Sequence, residues 1–303
     1  MELSVVVPTL NGRDRLSACL DALTTHAPDA EVIVANGPSA DGTTGMVRDR
    51  DDVDVLVEIS ARSVNVARNA GTEAAGGDAV AFVDFDRRIT EGWLAAVVDG
   101  LEAAPVVTGP SRSRAEGESA VEEAESRRIG GREVRYFTSG NVAFRRSVLE
   151  KLDGFDEYLR VGGARDAAHR LAGLGRDVAW RDGMAVTREP LPEDERDWRE
   201  KYRALGYRLI KNYGIRPTVP RRILAHAVRD AMSAAREVLT GEGTPTEWVG
   251  NGWRVASGAL SGTSDGLLAR ARDRSPTRNP HGLSVRHDRA VAMYDWRDGG
   301  VER

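Results

Sequence analysis

The chain has 303 residues, of which 41% are hydrophobic and 30% charged, and its formal net charge is −4. That balance excludes a disordered or membrane-spanning chain and suits a globular protein of one large or two small domains, at roughly 150 residues each. With Cys19 as its single cysteine, it can build neither an internal disulfide nor a cysteine-based zinc site.

The N-terminus, MELSVVVPTLNG, has an acid at position 2 and only a short apolar run, so no secretory leader is expected. Ser4–Val7 reads as a β-branched strand stopped by Pro8. From Asp14 to Leu23 the residues Leu16, Cys19, Leu20 and Leu23 share a helical face, with Cys19 as a small core residue. Glu31–Ala35 is a second buried strand, ending in the turn-rich NGPSADG. A helix at Thr43–Arg48, a strand at Val53–Ile59, a helix at Val64–Ala75 and a strand at Ala79–Val83 follow. This alternation predicts an α/β fold with a mostly parallel, doubly wound sheet. In such sheets ligands bind beyond the carboxyl ends of the strands, where Thr9–Asn11, Asn36–Asp41 and Asp84–Asp86 fall.

After residue 108 the pattern changes. The charged stretch 111–135 reads as a surface helix or loop. A helix is expected from about Arg165 to Leu174, and another at Asp197–Tyr213 with Trp198, Tyr202, Leu205, Leu209 and Tyr213 on one stripe. Beyond Pro220, Ile223, Leu224, Ala227, Val228, Ala231 and Val238 form one amphipathic face. Residues 248–271, with two tryptophans and few charges, suit a helical pair packed on the main domain or an interfacial membrane contact. The last 30 residues are expected to be an extended or partly disordered tail. The organisation predicted is 1–215, divided at 108, followed by a helical extension at 216–303. Charge follows the same divisions: −10 over 1–108, +2 over 109–215 and +4 over 216–303. The mild excess at the end suits an acidic lipid surface or an ordinary solvated face. No stretch reaches the ~18 apolar residues of a spanning helix. The expected location is therefore the cytoplasm, or the cytoplasmic face of a membrane.

Asp84–Phe85–Asp86 places two carboxylates just past a buried strand, where they can converge on a hard cation. Magnesium or manganese takes such oxygen ligands and completes its shell with substrate phosphates. In sequence context, SVVVPTLNGRDRLSACLDAL, EVIVANGPSADGT and ARNAGTEAAGGDAVAFVDFD resemble the N-terminal half of the family 2 glycosyltransferases, which have the GT-A fold. TSGNVAFRRSVLEKLDGFDEYL followed by ARDAAHRLAGLG is similar to their acceptor half. The resemblance covers roughly residues 3–215.

It implies an inverting transfer of a sugar from a nucleoside-diphosphate sugar to an acceptor hydroxyl, assisted by a divalent cation. By the same resemblance Pro8, Thr9, Asn11, Asn36, Asp41, Arg68, Asn69 and Asp84 bind the donor, and Asp84 and Asp86 hold the metal. Gly140 and Asn141 lie on the acceptor side, and Asp166 is the catalytic base. The chain departs from the family pattern in three places. Asn36 stands where an Asp usually reads the base, Arg165 replaces a Glu, and Thr187–Arg188 occupy the place of a metal-binding His. The acceptor implied is a glycan or a lipid-linked precursor, met through a peripheral membrane contact of 216–303; nucleic acid is not expected. A dinucleotide oxidoreductase is excluded by the absence of a G-x-G-x-x-G turn. The competing reading is a catalytically degenerate nucleotide-sugar-binding or scaffold protein on the same fold.

Overall fold

The computed structural model describes residues 1–113, 125–188, 197–240, 245–297 and 301–302. Four strands, β1 (Leu3–Thr9), β2 (Glu31–Asn36), β3 (Val55–Ile59) and β4 (Ala79–Val83), run parallel in the order β4-β1-β2-β3. The helices α1 (Arg13–His26), α2 (Thr43–Arg48) and α3 (Val64–Ala74) make the crossovers between them. Both faces of this sheet are covered, which is why its strands read as near-continuous apolar runs. Val6, Ile33, Val57 and Phe82 belong to the core on one face, and Val5, Val7, Val34 and Leu56 to the core on the other. Cys19 is buried in the latter. Pro8 does not stop β1. The pairing with β4 ends at Val6, while Pro8 and Thr9 remain in register with β2, so the N–H that proline lacks is not needed on the β4 side.

The middle of the chain extends the sheet and builds a smaller one. After β5 (Arg87–Ile89) and α4 (Trp93–Ala103) come β6 (Val106–Thr108), β7 (Ser111–Ser113), β8 (Ser126–Ile129), β9 (Arg132–Arg135) and β10 (Asn141–Arg145). Then follow α5 (Arg146–Lys151), α6 (Gly163–Gly173), β11 (Val178–Trp180) and β12 (Val186–Arg188). β10 lies antiparallel between β4 and β6, and β11 joins the outer edge. β12 pairs with both β5 and β7 in the small sheet, in a register that sets Arg188 opposite Arg87. The charged stretch 111–135 is therefore not a helix: 111–113 is a strand and 126–135 a hairpin, while 114–124 lies outside the described residues.

The C-terminal part adds α7 (Trp198–Tyr213), α8 (Thr218–Leu239) and α9 (Pro245–Arg272). Asp197 caps α7 by accepting the Glu200 N–H at 3.1 Å, a standard means of satisfying a helix N-terminus. α9 packs against α7 through glycines one turn apart. The Cβ positions of Gly258 and Gly262 would collide with the carbonyl oxygens of Arg199 and Arg203, and that of Gly266 would lie 2.7 Å from the Tyr207 oxygen. Gly262→Ala should therefore destabilise the fold by about 1–3 kcal/mol, as overpacking does. Gly252, whose Cβ would meet open space, should instead gain up to about 1 kcal/mol on replacement by Ala. Urea unfolding of the two variants checks both signs.

The expected loose tail is also corrected. β13 (Ala290–Asp295) pairs antiparallel with β3 at the edge of the central sheet, and β14 (Val301–Glu302) pairs with β13. Arg289 anchors this return. Its side chain is fully buried, bonded to Glu73 at 2.6 Å, to Glu157 and to the Gly282 carbonyl at 2.8 Å.

Candidate active site

The site lies where the sheet predicts it, at the carboxyl ends of β1 and β4. A cleft of about 500 Å³ is lined there by Pro8, Arg68, the Asp84–Phe85–Asp86 turn, Arg87, Ser139, Gly162–Arg165 and Arg188, among others. Asp84 Oδ1 accepts from Arg68 Nη2 at 2.8 Å, and Asp86 Oδ2 accepts from Arg188 Nε at 3.0 Å. Arg87 lies between them, its Nε 3.8 Å from Asp84 and 4.0 Å from Asp86. The Nε atoms of both Arg68 and Arg87 are buried without a hydrogen-bond partner. Counting Arg160 and Arg165, five arginines face two aspartates on this wall. Such a surface attracts a polyanion, and guanidinium forks match phosphate oxygens.

Gly140 is explained by Asp84. A Cβ at Gly140 would overlap the Asp84 carboxyl group, so only glycine lets β10 approach that side chain. Gly140→Ala should displace Asp84 from Arg68 and weaken ligand binding in the cleft, at a stability cost of about 1–3 kcal/mol. Nucleotide titration beside a urea melt measures the two effects separately.

Next to the cleft, sharing Pro8, Val64 and Phe85 with it, is an apolar slot of about 140 Å³ between the ends of β1 and β3. Leu10, Ile59 and Ala61 also line it. Thr9 Oγ1 and Ser63 Oγ, on two residues of this lining, are buried and make no hydrogen bond. Buried polar atoms are nearly always paired, so two orphan hydroxyls at an apolar slot suit a ligand with both apolar surface and hydrogen-bonding groups, such as a heterocycle.

Of the residues expected to touch ligand, Asn36, Asn69 and Asn141 face inward, while the exposed Asn11 and Asp41 bond to neighbouring loop backbone. Asn36 is fully buried, donating to Thr44 Oγ1 at 3.0 Å and accepting from Ser39 Oγ at 2.7 Å. It shapes the loop after β2 and leaves no amide group for a base. Asn11, with φ +51°, and Asp41 tie that loop to the one after β1. Asn11 Oδ1 accepts from the Ala40 N–H at 2.8 Å, and Asp41 accepts from the Arg13 N–H at 3.0 Å. Asn69 bonds both ways with the Phe155 backbone at 2.9 and 2.8 Å. Asn141 accepts from Trp93 Nε1 at 2.9 Å and donates to the Met184 carbonyl at 2.6 Å.

Asp166 departs furthest from expectation. It is fully buried in α6, with Oδ2 bonded to Arg170 Nε and Lys211 Nζ, both at 2.8 Å, and Oδ1 to Asn212 Nδ2 at 2.9 Å. Burial alone would raise its pKa, but the charges of Lys211 and Arg170 outweigh it and hold the carboxyl below its ordinary value. So placed, it is buried outside the cleft lining, and α6 presents Gly163, Ala164 and Arg165 to the cleft instead. Nearby His169 is buried against the Tyr213 hydroxyl at 2.8 Å, and burial lowers its pKa to about 3; it is a neutral packing residue. Of the cleft's arginines, Arg68 was expected at the donor and Arg188 was noted in place of the metal-binding His; Arg87 was not singled out, although its position directly after the D-x-D was an available signal.

A parallel α/β sheet with an acidic turn and an arginine-lined cleft at its carboxyl edge defines an enzyme-like site for a phosphorylated ligand. Residues 4–153, about half of the chain, match Glycosyl transferase family 2, and the chain is similar to members of that family there. Among curated relatives, Glycosyltransferase AglE of Haloferax volcanii is 32% identical over 99 residues, 30% of this chain and 33% of that protein. The Pre-mycofactocin glycosyltransferase of Mycobacterium tuberculosis is 28% identical over 217 residues, 65% of this chain and 44% of that protein. The chain thus spans between a third and less than half of these relatives' lengths. In three dimensions it resembles S. aureus TarS 1-349 in complex with UDP-GlcNAc, with TM-score 0.61, 16% identity and coverage of 100% and 97% of the two chains. It also resembles mannosyltransferase PcManGT from Pyrobaculum calidifontis in complex with GDP-Man and Mn2+, with TM-score 0.54, 18% identity and coverage of 90% and 88%. The fold is GT-A.

Proposed function

We propose that this chain is an inverting glycosyltransferase that moves a hexosyl group from a nucleoside-diphosphate sugar to an acceptor oxygen. The observation that carries the reading is the pair Asp84 and Asp86, set among Arg68, Arg87 and Arg188 in a cleft at the carboxyl edge of the sheet. The adjoining slot with its orphan Thr9 and Ser63 hydroxyls would take the base, and the arginines would hold the diphosphate. Among the described residues that line the cleft, Asp84 and Asp86 are the carboxylates. Among those described residues no separate carboxylate stands as a covalent nucleophile, which favours a single displacement with inversion.

The donor set fits a divalent cation. Two hard carboxylate oxygen donors face the same cleft, and magnesium or manganese ordinarily adds substrate phosphates and waters to such a pair. Asp84 and Asp86 would hold the ion, which when bound supplies Lewis-acid stabilisation of the departing diphosphate. Arg68, Arg87 and Arg188 act on the same charge from the protein side, pre-oriented and partly shielded from water. Calorimetric titration with UDP, GDP and dTDP, each with and without manganese, on wild type and Asp86→Ala tests the reading. Metal-dependent binding of one nucleotide, lost in the variant, is expected; no binding of any of them sinks it.

The inward-turned Asp166 favours a second reading, a nucleotide-sugar-binding protein without transferase activity. Nucleotide binding with neither transfer nor donor hydrolysis would select it.

A peripheral contact with the cytoplasmic face of a membrane is part of the proposal. The outer surface of α8 and α9 exposes Leu224, Val228, Met232, Trp253 and Leu260 beside Arg221 and Arg236, and no helix among the described residues is long and apolar enough to cross a membrane. Deleting 216–303 would also remove β13 from the sheet, so the test is Trp253→Glu with Leu260→Glu. These should reduce sedimentation with anionic vesicles about tenfold or more, since each replaces exposed apolar surface by a charge repelled from such lipid.

A further inference from the structure

We infer that Arg289, in the segment that returns to the sheet edge, is a positioning residue for Arg68 in the donor cleft, acting through Glu157, Asn69 and Phe155; this rests on the transferase reading above. On the cleft side Arg68 meets Asp84 at 2.8 Å, and its Nε is buried without a hydrogen-bond partner. The direction of the guanidinium is therefore set from behind. Its central carbon lies over the Phe155 ring, 5.2 Å from the centroid, and Nη1 reaches Asn65 Oδ1 at 3.4 Å. Both supports depend on the loop after α5. Phe155 belongs to that loop and packs edge-on against Phe82 and Phe144. Asn65 Nδ2 donates to the loop carbonyls of Asp156 and Leu159 at 3.1 and 2.7 Å. Where the loop sits decides where Arg68 points.

The loop is held by a chain of contacts that ends at Arg289. Asn69 accepts the Phe155 N–H at 2.8 Å and donates to its carbonyl at 2.9 Å, and the same amide donates to Glu157 Oε1 at 2.8 Å. Glu157 is fixed in turn by Arg289 and by Arg286, the latter at 3.1 Å. Arg289 also reaches α3 directly, through Glu73 at 2.6 Å. One fully buried cation thus joins a carboxylate on the loop to a carboxylate on the helix that carries Arg68, by charge-assisted bonds stronger than neutral ones. The fit is close on both sides of the loop. A Cβ at Gly154, whose φ is +62°, would lie 2.5 Å from Asn69 Oδ1, and one at Gly282 would lie 2.3 Å from the Asp153 carbonyl oxygen. The next residue, Ala290, opens β13 and is in register with Ile59 of β3, which fixes where Arg289 enters.

Arg68 stabilises a departing diphosphate only while it is already oriented. Without Arg289, Glu157 keeps Arg286, whose side chain is 40% exposed, and is drawn outward; Asn69 then loses an acceptor and the Phe155 backbone loses its clamp. A displacement of about 1 Å at a reacting group can cost about 10²-fold in rate. Arg289→Gln and, separately, Glu157→Ala should therefore lower kcat about 10–100-fold, in full-length protein shown by circular dichroism to be folded at the assay temperature. Glu157→Gln, whose amide oxygen can still accept from Asn69 and Arg289, should recover most of the loss seen in Glu157→Ala. In an Arg68→Ala background neither disruptive substitution should lower kcat further, whereas a merely structural role gives losses that multiply.

A second readout needs neither nucleotide nor metal. The Arg68 Nε–H signal in proton–nitrogen NMR, identified by its loss in Arg68→Lys, should exchange slowly with solvent in the wild type and in Glu157→Gln. In Arg289→Gln and Glu157→Ala it should exchange about tenfold faster or more, as local opening of its surroundings requires. Multiplying losses in the Arg68→Ala background, or an Arg68 signal unchanged in the disruptive variants, overturns the inference. If Arg289→Gln does not fold, the Glu157 pair decides: wild-type kcat and exchange in Glu157→Ala overturn it equally. A wild type that binds no nucleotide, with the NMR differences intact, counts against the transferase reading and leaves the positioning of Arg68 standing.

Discussion

Lys211→Met should destabilise the protein by about 3–5 kcal/mol, the range for removing one partner of a buried ion pair. Lys211 has no solvent-exposed side-chain surface and lies between two equally buried carboxylates, Asp156 and Asp166. Without its ammonium, Asp156 keeps the Tyr207 hydroxyl at 2.8 Å and Asp166 keeps Arg170 at 2.8 Å, so two anions share one cation. In the wild type, the depressed Asp166 pKa makes a stabilising contribution that is complete above the unfolded aspartate value of about 3.9. It is lost as the pH falls toward the folded value of about 2. In the variant the sign reverses for whichever carboxylate loses its partner. A proton can then take the place of the ammonium, so the deficit should be larger at pH 8 than at pH 5. Urea denaturation at both values measures this. Adding Asp156→Asn should restore part of the loss, and an equal deficit at both pH values would mean that Lys211 acts through packing alone.

The network also shows which parts of the molecule were legible in the residue order. Strands β1 to β4 and helices α1 to α3 carry their pattern locally, in apolar runs buried on both faces and in the face made by Leu16, Cys19, Leu20 and Leu23. The acidic turn after β4 was legible for the same reason. Side-chain direction was not. Asn69, Asn141 and Asp166 sit at the expected places but are turned inward by partners 86, 48 and 45 residues away, namely Phe155, Trp93 and Lys211. β13 was missed because its pairing with β3 depends on an edge laid down by a distant segment. The segment leading into it, with Pro276, Pro280 and Gly282, resembles a loop. Arg188 was noted at the place of a metal ligand, but its pairing with Asp86 depends on the register of β12 against β5.

Asp86→Asn should lower transfer from the nucleotide sugar by about 10²–10³-fold, the range for removing one preorganised electrostatic group at the reacting charge, and should remove the manganese dependence of nucleotide binding. Arg188→Ala should split these effects. Asp86 is 8% exposed and its pairing with Arg188 at 3.0 Å competes with a cation for the same oxygen. The Arg188 side chain is 44% exposed, so it can swing from the carboxylate to a phosphate when donor arrives. Removing it deletes a positive charge beside Asp86. Manganese should then bind the nucleotide-free protein about tenfold more tightly, while the KM for the nucleotide sugar rises about tenfold through loss of a phosphate contact. Calorimetry with manganese alone reads the first change, and steady-state kinetics at saturating manganese reads the second. Opposite movements mean that Arg188 and the metal are alternative partners of Asp86 and joint partners of the diphosphate. Unchanged values in both would reduce the pair to a surface contact, and leave Arg68 and Arg87 as the protein's charges on the leaving group.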